Sequence, residues 1–280
     1  MLEIANILLI PLTFPVKLKT IMKKLNLYIR GETMSTIIYA HRGASKHAPE
    51  NTMPAFELAY KHGADGIETD VQLTKDNIPV LIHDEQLNRT TNGTGFVKDF
   101  TYNELKQLDA GSWKSPHFTD TKIPRLDDLL AWNQGKQLKL NVELKNNIIS
   151  YQGLEDIVCQ KLNEYKMAKQ TVISSFNHAS ITKVNDKNVN IDYALLTGRR
   201  NRTLIPYSKK IKAKGIHIGY RLLSNRLVTL ANENKLYVAV YTVNSPITIN
   251  KAIRLGCQAL FTDVPKLAID IKKRRFAERN

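Results

Sequence analysis

The chain has 280 residues, 42% of them apolar, with 41 Lys and Arg against 26 Asp and Glu for a formal charge of +15. That length suits one α/β barrel, typically ~250 residues, and supplies a core that needs no disulfide or metal to fold. The two cysteines, Cys159 and Cys257, make no Cys-x-x-Cys pair and read as reduced core thiols of a cytoplasmic protein.

The basic excess attracts anions such as phosphate esters or lipid headgroups. Zinc-finger spacing and aromatic-glycine RNA signatures are missing from the sequence, so no nucleic-acid partner is expected. The chain starts with "IANILLIPLTFPV", an apolar run broken by Pro11 and Pro15. It is shorter than the ~20 residues that span a bilayer. Glu3 precedes it and the lysines follow it, the reverse of a secretory signal. Residues 1–34 are therefore expected to be an extension ahead of a domain at 35–280. A weak interfacial anchor that would hold the protein peripherally at a membrane surface is the alternative.

From Thr36 onward short apolar runs alternate with helical periods. The strand candidates are "IIYAH", "GIETDVQL", "PVLIH", "LKLNVEL", "TVISSF", "IDYALLT", "GIHIGY", "YVAVYTV" and "QALFTD". The helical stretches between them are "MPAFELAYKHG", "RLDDLLAWNQG", "LEDIVCQKLNEYKMA", "HASITKVNDK", "RLVTLANENK" and "PITINKAIRLG". Several end in glycine and two begin at or near proline, as helices do. Repeated β-then-α units predict a parallel sheet, and strands apolar almost throughout predict burial on both faces.

Only "TKDNI" separates "GIETDVQL" from "PVLIH", too little for a parallel crossover. The second run therefore continues the first after a turn or forms a hairpin with it. Counting the two as one unit leaves eight strands and a (β/α)₈ TIM barrel; a doubly wound sheet lacks its Gly-rich phosphate loop. Residues 86–122 are too long for an ordinary connection and are expected to be a small insertion after the second strand unit. Within it, Thr101 with Glu104 three residues on predicts a capping box.

Alternation puts Glu68 and Asp70 on one side of "GIETDVQL", with Ile67, Thr69 and Val71 on the other. Unpaired inside a barrel, each charge would cost several kcal/mol. At the barrel mouth, with Glu143 of "LNVELK", the two acids suit one divalent cation, Mg²⁺ or Ca²⁺. His41 and His83 each close an apolar strand at the end where this fold builds its sites, and can supply a general base and a general acid. Arg42 and Lys145 add cations beside them, so a phosphate ester fits best. His47, His62, His117, His178 and His217 lack such company and read as loop or helix-surface residues.

"HRGASKHAPENTMPAF", "GIETDVQLTKDNIPVLIHDEQLNRTTNGTG", "LDAGSW", "IPRLDDLL" and "NVELK" together resemble the glycerophosphodiester phosphodiesterase family, from about Ile37 to about Asp270. The resemblance implies a TIM barrel with an insertion after the His-Asp strand. It implies metal-dependent hydrolysis of small-molecule glycerophosphodiesters to sn-glycerol 3-phosphate and an alcohol. Glu68, Asp70 and Glu143 match the metal ligands, His41 and His83 the catalytic pair, and Arg42 and Lys145 the phosphate-contacting cations. Glu50 and Asn51 match a Glu-Asn-Thr turn beside His41, in which Asn51 or Thr52 would cap the next helix. Tyr241 stands in "AVYTVN" where many members have Trp, a change that bears on packing against the substrate. A lipid phosphodiesterase of the lysophospholipase D or sphingomyelinase type, and a non-catalytic basic anion-binding protein, are the alternatives.

Overall fold

The computed structural model describes residues 36–186 and 190–277; the expected extension, residues 1–34, lies outside them. Among the described residues nine strands run in order, with helices between all but β2 and β3: β1 (Ile37–His41), β2 (Gly66–Leu73), β3 (Pro79–Leu81), β4 (Lys139–Leu144), β5 (Thr171–Ser175), β6 (Asp192–Thr197), β7 (Gly215–Gly219), β8 (Tyr237–Tyr241) and β9 (Ala259–Thr262). Eight of these are parallel, and β1 pairs with both β2 and β9, which closes the sheet into a TIM barrel. The short run after β2 resolves as a hairpin, because β3 pairs antiparallel with β2.

The barrel's two surfaces follow from alternation along each strand. Ile38, Ile67, Val71, Leu140, Val142, Ile216 and Leu260 turn outward into the main apolar cluster under the helices. Burying each such side chain contributes ~1.5–3 kcal/mol. The inward residues divide by height. Tyr39, Ala239, Ala259 and Phe261 fill the interior with a second apolar cluster. Glycines make room for its rings: a Cβ on Gly66 would lie 2.6 Å from Tyr39 and one on Gly215 2.5 Å from Tyr237. Above that cluster, toward the strands' C-terminal ends, the inward positions become Glu68, Asp70 and Glu143.

His217 belongs to this interior, which corrects its reading as a surface residue. It lies on β7, 1% exposed, with Nε2 2.9 Å from the Tyr237 hydroxyl. Burial pushes its pKa down to about 3, so it is a neutral packing group. The charged runs had also hidden helices that now stand out, Leu204–Lys210 and Pro265–Ala277. Pro206 falls in the first turn of the former, where a backbone N–H has no helical partner to lose.

Between β3 and the helix Leu126–Asn133, residues 86–122 fold as short helical turns over a small core of their own. Val80 and Ile82 meet Leu87, Val97, Leu105, Ala110 and Ile123 there. Thr101 and Glu104 form the expected capping box. Lys114 of this segment reaches back to the carbonyl of Ser45, 2.7 Å away, and so ties it to the loop after β1.

Candidate active site

Three neighbouring strands set the centre of the site through their register. His41 on β1 stands opposite Glu68 on β2, and Asp70 on β2 stands opposite Glu143 on β4. One carboxylate oxygen from each of Glu68, Asp70 and Glu143 lies within 4.8 Å of the others, and all three residues are buried. The backbone turns sharply after His41, with Arg42 at φ +56° and Gly43 at +83°. A non-glycine residue in the left-handed region marks a constrained position. Here the turn aims the Arg42 N–H at Glu68 Oε2, 2.9 Å away.

Cations and amides surround the acids without saturating them. Arg42 Nε lies 3.2 Å from Asp70 Oδ2, and Lys145 Nζ lies 3.1 Å from Glu143 Oε1 and 3.7 Å from Asp70 Oδ1. Burial alone would raise the Asp70 pKa, but the Arg42 and Lys145 charges hold it well below the carboxylate range. Glu143 is pushed up to about 7, first by burial and then by the charge of Asp70. Glu68 is raised for the same reasons, with Glu143 adding to the repulsion. Asp70 Oδ1 is buried without a hydrogen-bond partner. A buried oxygen without a donor, between two carboxylates that resist ionising together, fits a divalent cation with oxygen ligands.

Each predicted histidine is oriented by an acid that sequence reasoning had not singled out. His41 Nδ1 lies 2.7 Å from Asp263 Oδ1 at the end of β9, and His83 Nδ1 lies 2.6 Å from Asp84 Oδ1. In both rings the carboxylate engages Nδ1, which leaves Nε2 for chemistry. Asp263 is itself held by Ser45 Oγ and Asn244 Nδ2. His83 is lowered in pKa by burial, which outweighs the attraction of Asp70.

Glu50 and Arg89 join these parts. Arg42 Nη1 donates to Glu50 Oε1 at 2.8 Å, and Arg89 donates to both Glu50 oxygens, each at 2.8 Å. On its other side Arg89 grips Asp84, with Nε 2.6 Å from Oδ2. Arg89 belongs to the insertion, so that segment braces both the His83–Asp84 pair and the Arg42–Glu50 pair. The Glu-Asn-Thr turn works differently from the expected helix cap. Thr52 occupies the cap position, but its hydroxyl donates to the Pro49 carbonyl. Asn51 donates to Asp70 at 2.9 Å and accepts from Thr69 at 2.7 Å, which fixes the carboxylate's orientation.

A pocket of about 240 Å³ opens over these groups, lined by His41, Arg42, Glu68, His83 and Glu143. Phe176 and Tyr241 form an aromatic wall, edge to face at 5.9 Å between centroids. All nine sequence-predicted site residues therefore fall in one region: seven, with Lys145 and Asp70, on or just beneath the pocket floor, Tyr241 on its wall, and Glu50 behind Arg42. Asp84 directly follows His83 and Asp263 directly follows the last strand, a position that in this fold points to the site. Arg89 and Phe176 carried no such signal.

The sequence profile of the Glycerophosphoryl diester phosphodiesterase family matches residues 41–267. A glycerophosphodiester phosphodiesterase of Bacillus altitudinis is 39% identical over 241 residues, covering 85% of this chain and 98% of that protein. A glycerophosphodiester phosphodiesterase of Caldanaerobacter subterraneus subsp. tengcongensis is 37% identical, covering 86% and 99%. Among solved structures, an Oleispira antarctica phosphodiesterase in complex with the product sn-glycerol-3-phosphate is 29% identical, with a TM-score of 0.77 over 85% of this chain and 96% of that one.

Proposed function

The chain belongs to the glycerophosphoryl diester phosphodiesterase family, and from that premise we propose how its residues hydrolyse a glycerophosphodiester to sn-glycerol 3-phosphate and an alcohol. The observation that carries the reading is the joining, around one pocket, of a buried carboxylate triad, two carboxylate-oriented histidines and an arginine. The product named in the Oleispira antarctica complex supports the same products here.

Glu68, Asp70 and Glu143 would hold one divalent cation, Ca²⁺ or Mg²⁺, since carboxylate and water oxygens suit both. When bound, it acts as a Lewis acid toward a phosphoryl oxygen. Arg42 and Lys145 face the same acids and supply fixed positive charge for the oxygens that gain charge in the transition state. The reaction forms a new P–O bond to the nucleophile, water or the glycerol 2-hydroxyl, and breaks the P–O bond to the alcohol; where the 2-hydroxyl attacks, water then opens the cyclic phosphate, forming one P–O bond as the bond to the 2-oxygen breaks. One histidine takes the nucleophile's proton and the other returns one to the departing alkoxide, so the pair ends with its protons exchanged. Tyr241 and Phe176 would pack against the carbon skeleton of the substrate. Glu50 holds Arg42 in place.

We place the reaction in the cytoplasm, a setting that suits a chain with two cysteines in 280 residues and no Cys-x-x-Cys pair. No helix among the described residues is long and apolar enough to cross a membrane. The test is turnover of glycerophosphocholine beside lysophosphatidylcholine, with and without EDTA. Glycerol 3-phosphate release that EDTA stops and added Ca²⁺ or Mg²⁺ restores is the expected result. Turnover of the lysolipid alone would favour a lipid phosphodiesterase, and EDTA-resistant turnover would remove the metal from the triad.

A further inference from the structure

A second cavity, of about 370 Å³, opens in the loops that follow β6 and β7, on the face of the barrel that carries the catalytic pocket. Its rim is formed by Arg199, Arg200, Arg202, Arg221 and Arg226, and no acidic residue lines it. All five arginines are exposed, and among the described residues no ion pair engages them. Its floor is apolar, with Leu204, Ile218 and Leu223 buried beneath the guanidinium groups. Five positive charges over a low-dielectric floor focus potential into the cavity, and a guanidinium matches phosphate bidentately.

The two cavities share a wall. Leu196 lines the catalytic pocket and its successor Thr197 lines the arginine-rimmed one. Gly198, directly after β6, and Gly219, the last residue of β7, precede the two arginine-bearing loops. A Cβ on either would lie 3.6 or 3.9 Å, respectively, from the Tyr241 hydroxyl. That hydroxyl is buried and has no hydrogen-bond partner, so a polar group stands unsatisfied at the junction.

We propose that the arginine-rimmed cavity is an anion subsite for the alcohol portion of the substrate. It would take a second phosphate carried by the leaving group while the first sits at the carboxylate triad. This rests on the phosphodiesterase reading above and deepens it: the favoured substrates are glycerophosphodiesters whose alcohol is itself phosphorylated, rather than those with a cationic or neutral alcohol.

The experiment compares glycerophosphoglycerol with bis(glycerophospho)glycerol, which differs by a second glycerophosphate on the leaving alcohol. Initial rates are measured on the full chain and on two variants, R199Q/R200Q/R202Q and R221Q/R226Q. The wild type should favour the two-phosphate substrate about tenfold in kcat/KM at low salt, a preference of the size one good contact gives. The preference should reside in KM and fade at ~1 M salt, where exposed charges are screened. Either variant should lose it while keeping glycerophosphoglycerol turnover within about twofold, as exposed substitutions usually permit.

A wild type without the preference, or variants that retain it, overturns the subsite. So does equal loss on both substrates, which would make the loops supports of the catalytic pocket. Co-sedimentation with phosphatidylglycerol vesicles that the variants lose, with diester kinetics unchanged, assigns the patch to lipid instead and also overturns it. No turnover of either substrate by the wild type sinks the phosphodiesterase reading, and the subsite with it.

Discussion

Asp263 reaches His41 across 222 residues of sequence to place Oδ1 2.7 Å from the ring Nδ1. Asp84 makes the matching contact to His83 Nδ1 at 2.6 Å. The first pair joins residues near opposite ends of the barrel sequence because β1 closes the barrel between β2 and β9, whereas the second joins sequence neighbours. A carboxylate on Nδ1 fixes both the tautomer and the angle of the ring, so each pair is proposed to act as one proton-handling unit.

Removing either ring, by His41→Ala or His83→Ala, is expected to lower kcat by ~10²-fold or more, the lower range for general acid–base catalysis. Asp263→Asn should give a smaller loss, since the ring remains but its orientation is no longer fixed. The roles separate on a diester with an activated leaving group, which departs without a proton. One histidine variant should recover most of its activity on it, and that ring is the acid; the other should not recover. Two variants that both keep most of their activity on the ordinary substrate would remove the rings from the chemistry.

Arg89 holds two oriented groups at once, donating to both oxygens of Asp84 and both of Glu50. Arg89→Gln is expected to lower kcat by up to ~10²-fold, the cost of a displacement of about 1 Å at a reacting group. Arg89→Lys should rescue little, because an ammonium cannot grip two carboxylates bidentately. Wild-type kcat in both variants would show that the insertion contributes only to folding.

Most of the barrel was legible because alternation and buried parallel strands leave a plain pattern. A connection too short to cross over left a continued strand or a hairpin, which the antiparallel pairing of β3 with β2 decides, and the triad followed from acids at inward positions of β2 and β4. What stayed hidden depends on closure. Asp263 meets His41 only when the first and last strands pair, and Arg89 reaches Glu50 only after the insertion has folded on its own small core. His217 was misread because a neutral ring inside a barrel looks the same in sequence as one in a loop. The helix Leu204–Lys210 was masked by Pro206 and by the lysines around it.

Acid should act on stability through the two orienting carboxylates. Arg89 holds the Asp84 pKa down to about 2, and in Asp263, where burial alone would raise it, the bond from His41 does the same. A carboxylate depressed in the folded state adds stability above its unfolded pKa of about 3.9 and loses it as pH falls toward the folded value. Wild-type stability is therefore expected to drop between about pH 4 and pH 2. In Asp263→Asn the drop over that window should be shallower, because the residue no longer takes up a proton on unfolding. Denaturant midpoints measured in steps across the window check this, and parallel curves for the two proteins would rule out the contribution.

The final prediction concerns residues 1–34. All eight barrel strands, the insertion and every predicted site residue lie between Thr36 and Ala277, so a chain beginning at Met34 is expected to be soluble and near-fully active on a water-soluble diester. The competing idea starts from the apolar run "IANILLIPLTFPV" and the basic residues Lys17, Lys19, Lys23, Lys24 and Arg30 that follow it. Apolar burial and attraction to anionic lipid would then act together at a membrane surface. Co-sedimentation of both chains with anionic vesicles at low and high salt separates the two. Salt-sensitive binding by the full chain alone would make the segment an interfacial anchor. Loss of soluble folding on truncation would instead make it part of the barrel's packing. Equal activity without binding by either chain would leave catalysis entirely to the barrel.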